Sequence, residues 1–261
     1  MRRMHPDRGM RHGLSFFVAA LAMGAVARGG GPPPAMPDLL ASQVTVEVRD
    51  DRTQSRFRGT VLDRDGDLLT VVTAAHCLSA AQVGCPARVT VAGTAIRGVV
   101  ASVVWNPAYR PKITGHLHGP DSAVARFRVD SADPRSAAAL GTIRPARGPI
   151  EYPFPDPGGR TIVVRAIDGD GIEHAIRAGN HMNPRWLEWG PGYFPKPGDS
   201  GGGVFWLRQG PDGQPEPVLI GAIVGHDARG GGAALVSLDQ RWLAEALADK
   251  DRPPEPAIPR D

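Results

Sequence analysis

Short runs of alternating apolar and polar residues, separated by turn-forming residues, recur along most of this chain. Val44, Val46 and Val48 alternate with polar residues, and 64–67 (Arg-Asp-Gly-Asp) is typical of a turn. Successive side chains of a strand point to opposite faces, so this pattern predicts half-buried β-strands. The first half of the chain contains six such segments, at 44–48, 57–62, 68–72, 87–91, 96–105 and 123–129. Their spacing suits a small antiparallel barrel.

A second series of strand patterns follows a connecting segment at 131–142. These strands are predicted at 161–167, 171–177, 185–189, 202–207, 218–224 and 233–237. An apolar stripe at helical spacing then predicts a helix over 238–249. The stripe consists of Trp242, Leu243, Ala246 and Leu247. The pattern therefore predicts an all-β chain with a terminal helix, an N-terminal barrel at 42–130 and a second β unit with the helix at 143–249.

Both ends of the chain differ from this β-rich middle. Residues 1–27 have an arginine-rich head, an apolar or small-residue core and a small-x-small site at 25–27, which together predict an export signal. The core at 14–27 is shorter than the roughly 20 residues that span a bilayer, although an uncleaved anchor is the alternative. Residues 28–41 are predicted to be a linker and 250–261 a disordered tail. We expect a periplasmic or secreted protein that leaves the membrane after leader cleavage.

Composition bears on the fold, and net charge bears on the class of partner. The chain has 261 residues, of which 41% are hydrophobic, and its 33 glycines and 26 prolines favour turns and short strands. The four arginines and one aspartate of residues 1–27 account for the whole net charge of +3. The remainder is neutral, so charge gives no support for a nucleic-acid or anionic-membrane partner.

Three separated residues have the chemistry of a serine nucleophile with its base. His76 lies in Thr73-Ala74-Ala75-His76-Cys77, Ser200 lies in Gly198-Asp199-Ser200-Gly201-Gly202, and Asp121 lies between them in the chain. A serine hydroxyl is a weak nucleophile at neutral pH and needs a neighbouring base. An imidazole suits that role, and a carboxylate can hold it in one tautomer. The order His, Asp, Ser therefore predicts a serine hydrolase.

The glycines around Ser200 fit a second requirement of acyl transfer. Stabilising an oxyanion takes backbone N–H groups that converge on one point, and glycine adopts the positive dihedral angles that such a turn needs. The amides of Gly198 and Ser200 are the predicted donors, while Gly201 and Gly202 let the chain pass close behind the nucleophile. A second glycine run at 230–232 has no serine in context and is interpreted as a loop.

On these motifs the chain resembles the chymotrypsin/trypsin-like serine peptidases, as a bacterial-type exported member. The resemblance rests on 69–77, 121–127 and 197–205 and extends from about residue 42 to about residue 248. It implies two six-stranded antiparallel Greek-key barrels with a C-terminal helix. It also implies a monomeric endopeptidase that cleaves protein or peptide substrates through an acyl-enzyme, with no cofactor and no metal.

The same resemblance implies where a substrate would bind. Phe194 would lie at the floor of the specificity pocket, and because it is not acidic, a preference for Arg or Lys is not implied. Gly225 and His226 would lie on the edge that pairs with the substrate backbone as an added strand. For His226, a solvated loop residue is the alternative interpretation.

Asp199 needs a partner if it is buried. In zymogen-type relatives this aspartate pairs with a freed chain terminus that begins with two apolar residues and two glycines, and no such sequence occurs near 28–45. Several bacterial-type relatives use an arginine instead. Arg144 or Arg147 is the expected partner here.

Two cysteines at short spacing in an exported protein predict a disulfide, between Cys77 and Cys85. Relatives usually join the cysteine after the histidine to one on the preceding strand, which contains none here, so the bridge would run forward. Two free thiols are the alternative.

Three of these predictions have alternatives. They concern the partner of His76, a possible metal site and the class of protein. Asp130 or Asp133 could replace Asp121 as the partner of the histidine. His116, His118 and Asp121 resemble a metal cluster but have no further fixed ligand, so a solvated loop is preferred. The competing class is a catalytically inactive, protease-like module that binds peptides.

Overall fold

The computed structural model describes residues 38–109, 121–146, 162–178, 186–187, 196–210, 213–226, 233–237 and 240–248. Six antiparallel strands form a closed barrel in the order β1-β2-β3-β6-β5-β4. They are β1 (Gln43–Arg49), β2 (Gln54–Asp65), β3 (Leu68–Thr73), β4 (Pro86–Val91), β5 (Thr94–Trp105) and β6 (Ala123–Val129). The predicted six-stranded barrel is confirmed, and each of its predicted strands overlaps an observed one.

Alternating apolar residues fill the interior of this barrel. In β1 the three valines that set the sequence pattern are buried, and larger side chains from the other strands pack against them; the set includes Val46, Phe57, Leu69, Val71, Val100 and Phe127. Strand β3 pairs with β6 rather than with β4, which is the crossover of a Greek key. This pairing brings the end of β3 and the start of β6 to the same rim of the barrel.

The later strands form a second antiparallel sheet. They are β7 (Ile162–Ile167), β8 (Glu173–Ala178), β9 (Trp186–Leu187), β10 (Gly203–Gln209), β11 (Pro215–His226) and β12 (Ala233–Ser237). Their order is β8-β7-β10-β11-β12-β9. Each overlaps a predicted strand. Within the described residues this sheet has two edges, β8 and β9, so the predicted closure into a second barrel is not confirmed.

The predicted terminal helix is α2 (Gln240–Ala248), and it packs in a core shared by the barrel and the second sheet. That core combines helix residues with outward-facing residues of the barrel and residues of the sheet: Val72, Val104, Val124, Phe205, Leu219, Trp242, Leu243 and Ala246. The buried Arg126 of β6 donates from Nη2 to the carbonyl of Ala246, at 2.8 Å. A cation at this end of a helix also opposes the negative end of its dipole.

Two segments outside the predicted β units have regular structure. The connection at 131–142 contains helix α1 (Pro134–Thr142), which Asp133 caps by accepting from the amide of Ser136. The predicted linker is too long, because Leu39–Ser42 forms a short 3₁₀ helix with Leu39 buried in the shared core. The predicted leader at 1–27 and tail at 250–261 lie outside the described residues. None of the helices in the described part of the chain has the length and apolar character to cross a bilayer.

A buried amide side chain joins the barrel to the second sheet. Gln43 of β1 donates from Nε2 to the hydroxyl of Thr60 at 2.8 Å, and its Oε1 accepts from the amide of Gly203 at 3.1 Å. Gln43 is 5% exposed, so water does not replace these bonds easily. The start of β10 is therefore fixed to the barrel through one side chain.

We predict that Gln43→Met destabilises the protein by about 1–3 kcal/mol, because it leaves the buried amide of Gly203 without its acceptor. The free energy of unfolding from urea titration measures this effect. Gln54→Met at an exposed position of β2 is the matched control and should change stability by less than about 0.5 kcal/mol. Equal values for the two variants would contradict the assigned role of Gln43.

Candidate active site

Three elements bring His76, Asp121 and Ser200 together. His76 lies in a 3₁₀ helix, Ala75–Cys77, just after β3, and Asp121 lies just before β6. Since Thr73 of β3 pairs with Ala123 of β6, both residues emerge at the same rim of the barrel. Ser200 lies in the turn at 197–201 that precedes β10, called the nucleophile turn below.

A continuous chain of hydrogen bonds connects the three side chains. Asp121 Oδ2 lies 2.7 Å from His76 Nδ1, and His76 Nε2 lies 3.0 Å from Ser200 Oγ. The second carboxylate oxygen, Asp121 Oδ1, accepts from the backbone amide of His76 at 2.9 Å. Because Asp121 is buried and holds both the ring and the backbone of His76, the imidazole has one fixed orientation toward the serine.

The carboxylates of Asp130 and Asp133 lie away from the imidazole. Asp133 caps α1 through the amide of Ser136, and the exposed Asp130 accepts from the amide of Ala132. His116 and His118 lie outside the described residues, and the described part of the chain contains no group of three side chains arranged to hold a metal ion.

The surroundings of His76 favour its protonated form. Burial alone would lower the pKa of His76, but hydrogen bonds with Asp121 and with the Cys77 sulfur, together with their charges, raise the pKa to about 10. Cys77 Sγ lies 3.8 Å from His76 Nε2, the same nitrogen that faces Ser200. The imidazole must therefore lose a proton before it can act as a base at neutral pH.

The predicted disulfide between Cys77 and Cys85 is wrong, since both thiols are free. Cys77 is buried beside the imidazole, whereas Cys85 Sγ points to the carbonyl of Ala81, at 3.5 Å. Each sulfur thus has its own polar neighbour in place of the other sulfur. Short spacing in the sequence did not bring the two thiols together.

Tyr109 is a neighbour of the triad that the sequence did not indicate. Burial, and then the nearby Asp121 and Cys77, raises the pKa of Tyr109. Its side chain is packed against the barrel core. The phenol therefore stays neutral beside the carboxylate across the physiological pH range.

The backbone of the nucleophile turn is fixed to the barrel at Arg58 and to the second sheet at Ile223. The carbonyl of Ser200 accepts from the amide of Arg58 at 2.8 Å, and the amide of Gly201 donates to the carbonyl of Ile223 at 2.7 Å. Gly201 has a φ of +85°, and a Cβ there would overlap the Arg58 carbonyl and the Thr73 hydroxyl. Only glycine satisfies both the dihedral angle and the space.

The predicted oxyanion donors lie on this turn. Gly198 has a φ of +99°, which places it in the region that glycine favours. Among the described residues, neither the amide of Gly198 nor that of Ser200 has a hydrogen-bond acceptor. Both N–H groups are therefore available to donate to an acceptor from outside the described residues.

Asp199 is fully buried, and two backbone amides are among its partners. Its Oδ1 accepts from the amide of Gly169 at 2.7 Å, and its Oδ2 accepts from the amide of Lys196 at 2.8 Å. The expected Arg144 instead donates to the carbonyls of Gly141 and Ile143 at the end of α1. Arg147 lies outside the described residues.

The predicted substrate-binding residues are described only in part. Phe194 lies outside the described residues. Gly225 has a φ of +156° and pairs with Ala234 of β12, after an irregularity in the β11–β12 pairing. His226 pairs through its backbone with Ala233, and its side chain is not described.

No protein-family model and no curated protein matches this chain. Among solved structures it is similar to the scabies mite inactivated protease paralogue S-I1, with a TM-score of 0.54 and 14% sequence identity. The match covers 84% of this chain and 100% of that one. At this identity the likeness concerns the fold alone, and the chain has a protease-like fold.

We predict that Gly201→Ala destabilises the fold by at least about 2 kcal/mol, since the methyl group meets backbone and the dihedral angle is strained. It should also separate Ser200 from His76 and abolish labelling by a serine-directed phosphonate. Gly141→Ala in α1 is the matched control, because a Cβ there meets nothing within 4 Å and alanine favours the helix. Thermal unfolding measures the first effect and phosphonate labelling the second. A Gly201→Ala variant that unfolds at the wild-type temperature and is labelled at the wild-type rate would contradict this prediction.

We predict that Cys77→Ala lowers the pKa of His76 from about 10, because it removes the second of the two interactions that favour the imidazolium. NMR titration of the imidazole nitrogens measures the change, and Cys85→Ala should leave the titration as in the wild type. Protonated His76 stabilises the fold fully below its unfolded pKa of about 6.5, and this contribution is lost as pH rises to about 10. In Cys77→Ala the stabilising contribution of protonated His76 should therefore be lost completely at a lower pH than in the wild type.

Proposed function

We propose that this protein is a serine endopeptidase that hydrolyses peptide bonds through an acyl-enzyme. The observation that carries the proposal is the hydrogen-bond chain from Asp121 through His76 to Ser200, with 2.7 Å and 3.0 Å between the paired atoms. These distances lie within the range that proton transfer requires. The carboxylate, the imidazole and the hydroxyl come from three distant parts of the sequence.

The proposed reaction has two halves. Ser200 Oγ attacks the carbonyl carbon of the substrate, and the neutral His76 takes the hydroxyl proton on Nε2. His76 then gives this proton to the leaving amine as the C–N bond breaks, which leaves an acyl group on Ser200. A water molecule attacks that ester with His76 again as base, and the serine is regenerated. Asp121 holds Nδ1–H throughout and stabilises the imidazolium.

The nucleophile turn would stabilise the charge that develops on the substrate carbonyl oxygen. The amides of Gly198 and Ser200 have no acceptor among the described residues, which fits donors that wait for an oxyanion. Donors held before the reaction need no reorganisation during it. The glycine conformations at Gly198 and Gly201 support this shape.

The substrate would bind along the end of β11 as an added strand. β10 begins at Gly203, opposite Ala222, so Gly225 and His226 extend beyond the start of that neighbour. Their backbone on this side is in position to pair with a peptide. In this proposal Phe194 contributes to the specificity pocket, and a protein or peptide is the substrate.

We also propose that the second sheet closes into a barrel. The first barrel, written from its β2–β3 junction, has the order β2-β1-β4-β5-β6-β3, and the second sheet repeats it as β8-β7-β10-β11-β12-β9. The pair that would complete the repeat is β8 with β9. We further propose that the chain is an exported, bacterial-type relative of chymotrypsin and trypsin that acts as a monomer without a cofactor.

A catalytically inactive peptide-binding module is the second candidate. It is favoured by one observation, that the similar solved structure is of an inactivated protease paralogue. In this chain the contact between His76 and Ser200 argues for the enzyme instead. Incubation with a mixed peptide library separates the two, because products indicate the enzyme and retention without products indicates the module.

We predict that Ser200→Ala lowers kcat for peptide cleavage by roughly 10⁶-fold, since the other parts of a triad cannot replace the nucleophile. It should also abolish labelling by a serine-directed phosphonate. Ser131→Ala, at an exposed serine, is the matched control and should cleave and label as the wild type does. Hydrolysis by Ser200→Ala at the wild-type rate would reject the assignment of the nucleophile.

A further inference from the structure

A buried group of charges includes one residue of the nucleophile turn and lies outside the triad. It consists of Arg58 on β2, Asp168 at the end of β7 and Asp199, which are 9%, 3% and 0% exposed. Charged residues are rarely buried this deeply unless they are paired. We call this group the Arg58 cluster.

One glycine connects the cation of this cluster to the carboxylate beside the nucleophile. Arg58 Nη2 donates to the carbonyl of Gly169 at 3.1 Å, and the amide of Gly169 donates to Asp199 Oδ1 at 2.7 Å. A Cβ on Gly169 would lie 2.6 Å from that carboxylate oxygen, so the glycine permits the close approach. The backbone amide of Arg58 also bonds the carbonyl of Ser200. Arg58 thus contacts Ser200 of the nucleophile turn through its backbone and Gly169 through its side chain.

The turn that carries Gly169 is itself held rigidly. Residues 168–172 connect β7 and β8, and Asp168 Oδ1 accepts from the amides of Asp170 and Ile172 at 2.9 and 2.8 Å. Asp168 Oδ2 lies 2.8 Å from His174 Nε2. Burial raises the pKa of Asp168, but His174 and the two amides outweigh it and hold the pKa below its ordinary value. Asp168 therefore stays ionised near Arg58.

A cation is needed at this place for electrostatic reasons. Two buried carboxylates, Asp168 and Asp199, lie close enough to Arg58 to oppose the lowering of its pKa by burial. A guanidinium keeps its charge under these conditions and can serve several acceptors at once. Without it, the buried carboxylate of Asp199 would lose a compensating charge and favour a solvated position. Movement of Asp199 would displace Gly198 and Ser200, the residues on either side of it.

We propose that Arg58 is a positioning residue that holds the amides of Gly198 and Ser200 in their oxyanion-binding arrangement through Gly169 and Asp199. This inference rests on the proposed peptidase function and deepens it. The barrel thereby supplies a positive charge near Asp199 from within the folded chain.

The experiment compares Arg58→Met with wild type and with Arg56→Met, a control at an exposed position of the same strand. Active sites are counted by exhaustive reaction with a phosphonate, and kcat and KM are then measured per active site. Loss of oxyanion donors lowers kcat by about 10²–10³-fold, so we expect about a 100-fold lower kcat in Arg58→Met with KM changed less than about threefold. The phosphonate reaction rate should fall in parallel.

A purely structural role gives a different result. It would reduce the number of active sites while each remaining site keeps the wild-type kcat, and that result would overturn the inference. If Arg58→Met yields no folded protein, the same measurements are made on Arg58→Lys. Its ammonium keeps the charge but cannot reproduce the fork of the guanidinium, so we expect about a tenfold lower kcat per site. A wild-type kcat in Arg58→Lys would overturn the inference.

The two proposals fail in distinguishable ways. Failure of the wild type to react with the phosphonate or to cleave any peptide would overturn the proposed function and this inference with it. Cleavage by the wild type with an unchanged kcat per site in Arg58→Met would overturn the inference alone. The Arg56→Met control should match the wild type in either case.

Discussion

The close backbone contact between the nucleophile turn and the barrel is the constraint on which the site depends. Ser200 bonds the amide of Arg58 through its carbonyl, and Gly201 leaves no room for a side chain against Arg58 and Thr73. His76 is carried by the end of β3, in the barrel, whereas Ser200 precedes a strand of the second sheet. A hydroxyl and an imidazole from different sheets remain 3.0 Å apart only if the sheets are fixed at this point. Gln43 adds a second fixed point nearby.

Burying carboxylates at this junction has a cost, which the backbone offsets. Asp121 accepts from the amide of His76, and Asp199 accepts from the amides of Gly169 and Lys196. Amide donors are fixed by the fold and satisfy a carboxylate without side-chain entropy. The remaining charge is shared with His76 on one side and with Arg58 on the other. Ser200 therefore depends on Asp121 through His76 on one side and on Arg58 through Gly169 and Asp199 on the other.

The free thiol of Cys77 contributes to the raised pKa of His76. Its sulfur lies beside the nitrogen of His76 that faces Ser200, and it adds to the effect of Asp121 in favouring the imidazolium. A base with a raised pKa is scarce in its neutral form but takes up a proton more readily when it is neutral. In the proposed reaction, the same contact would therefore oppose catalysis at low pH and favour proton transfer at high pH.

Local pattern determined the strands, the terminal helix and the candidate residues of the triad, because alternation, helical spacing and glycine-rich turns are properties of neighbouring residues. Tertiary structure decided the rest. The free state of Cys77 and Cys85 depends on side-chain directions that spacing does not contain. The support of Asp199 by Gly169 and Arg58 joins residues 30 and 141 positions away, with no motif in common. Pairing a buried charge is a matter of three-dimensional neighbours, which only the folded chain creates.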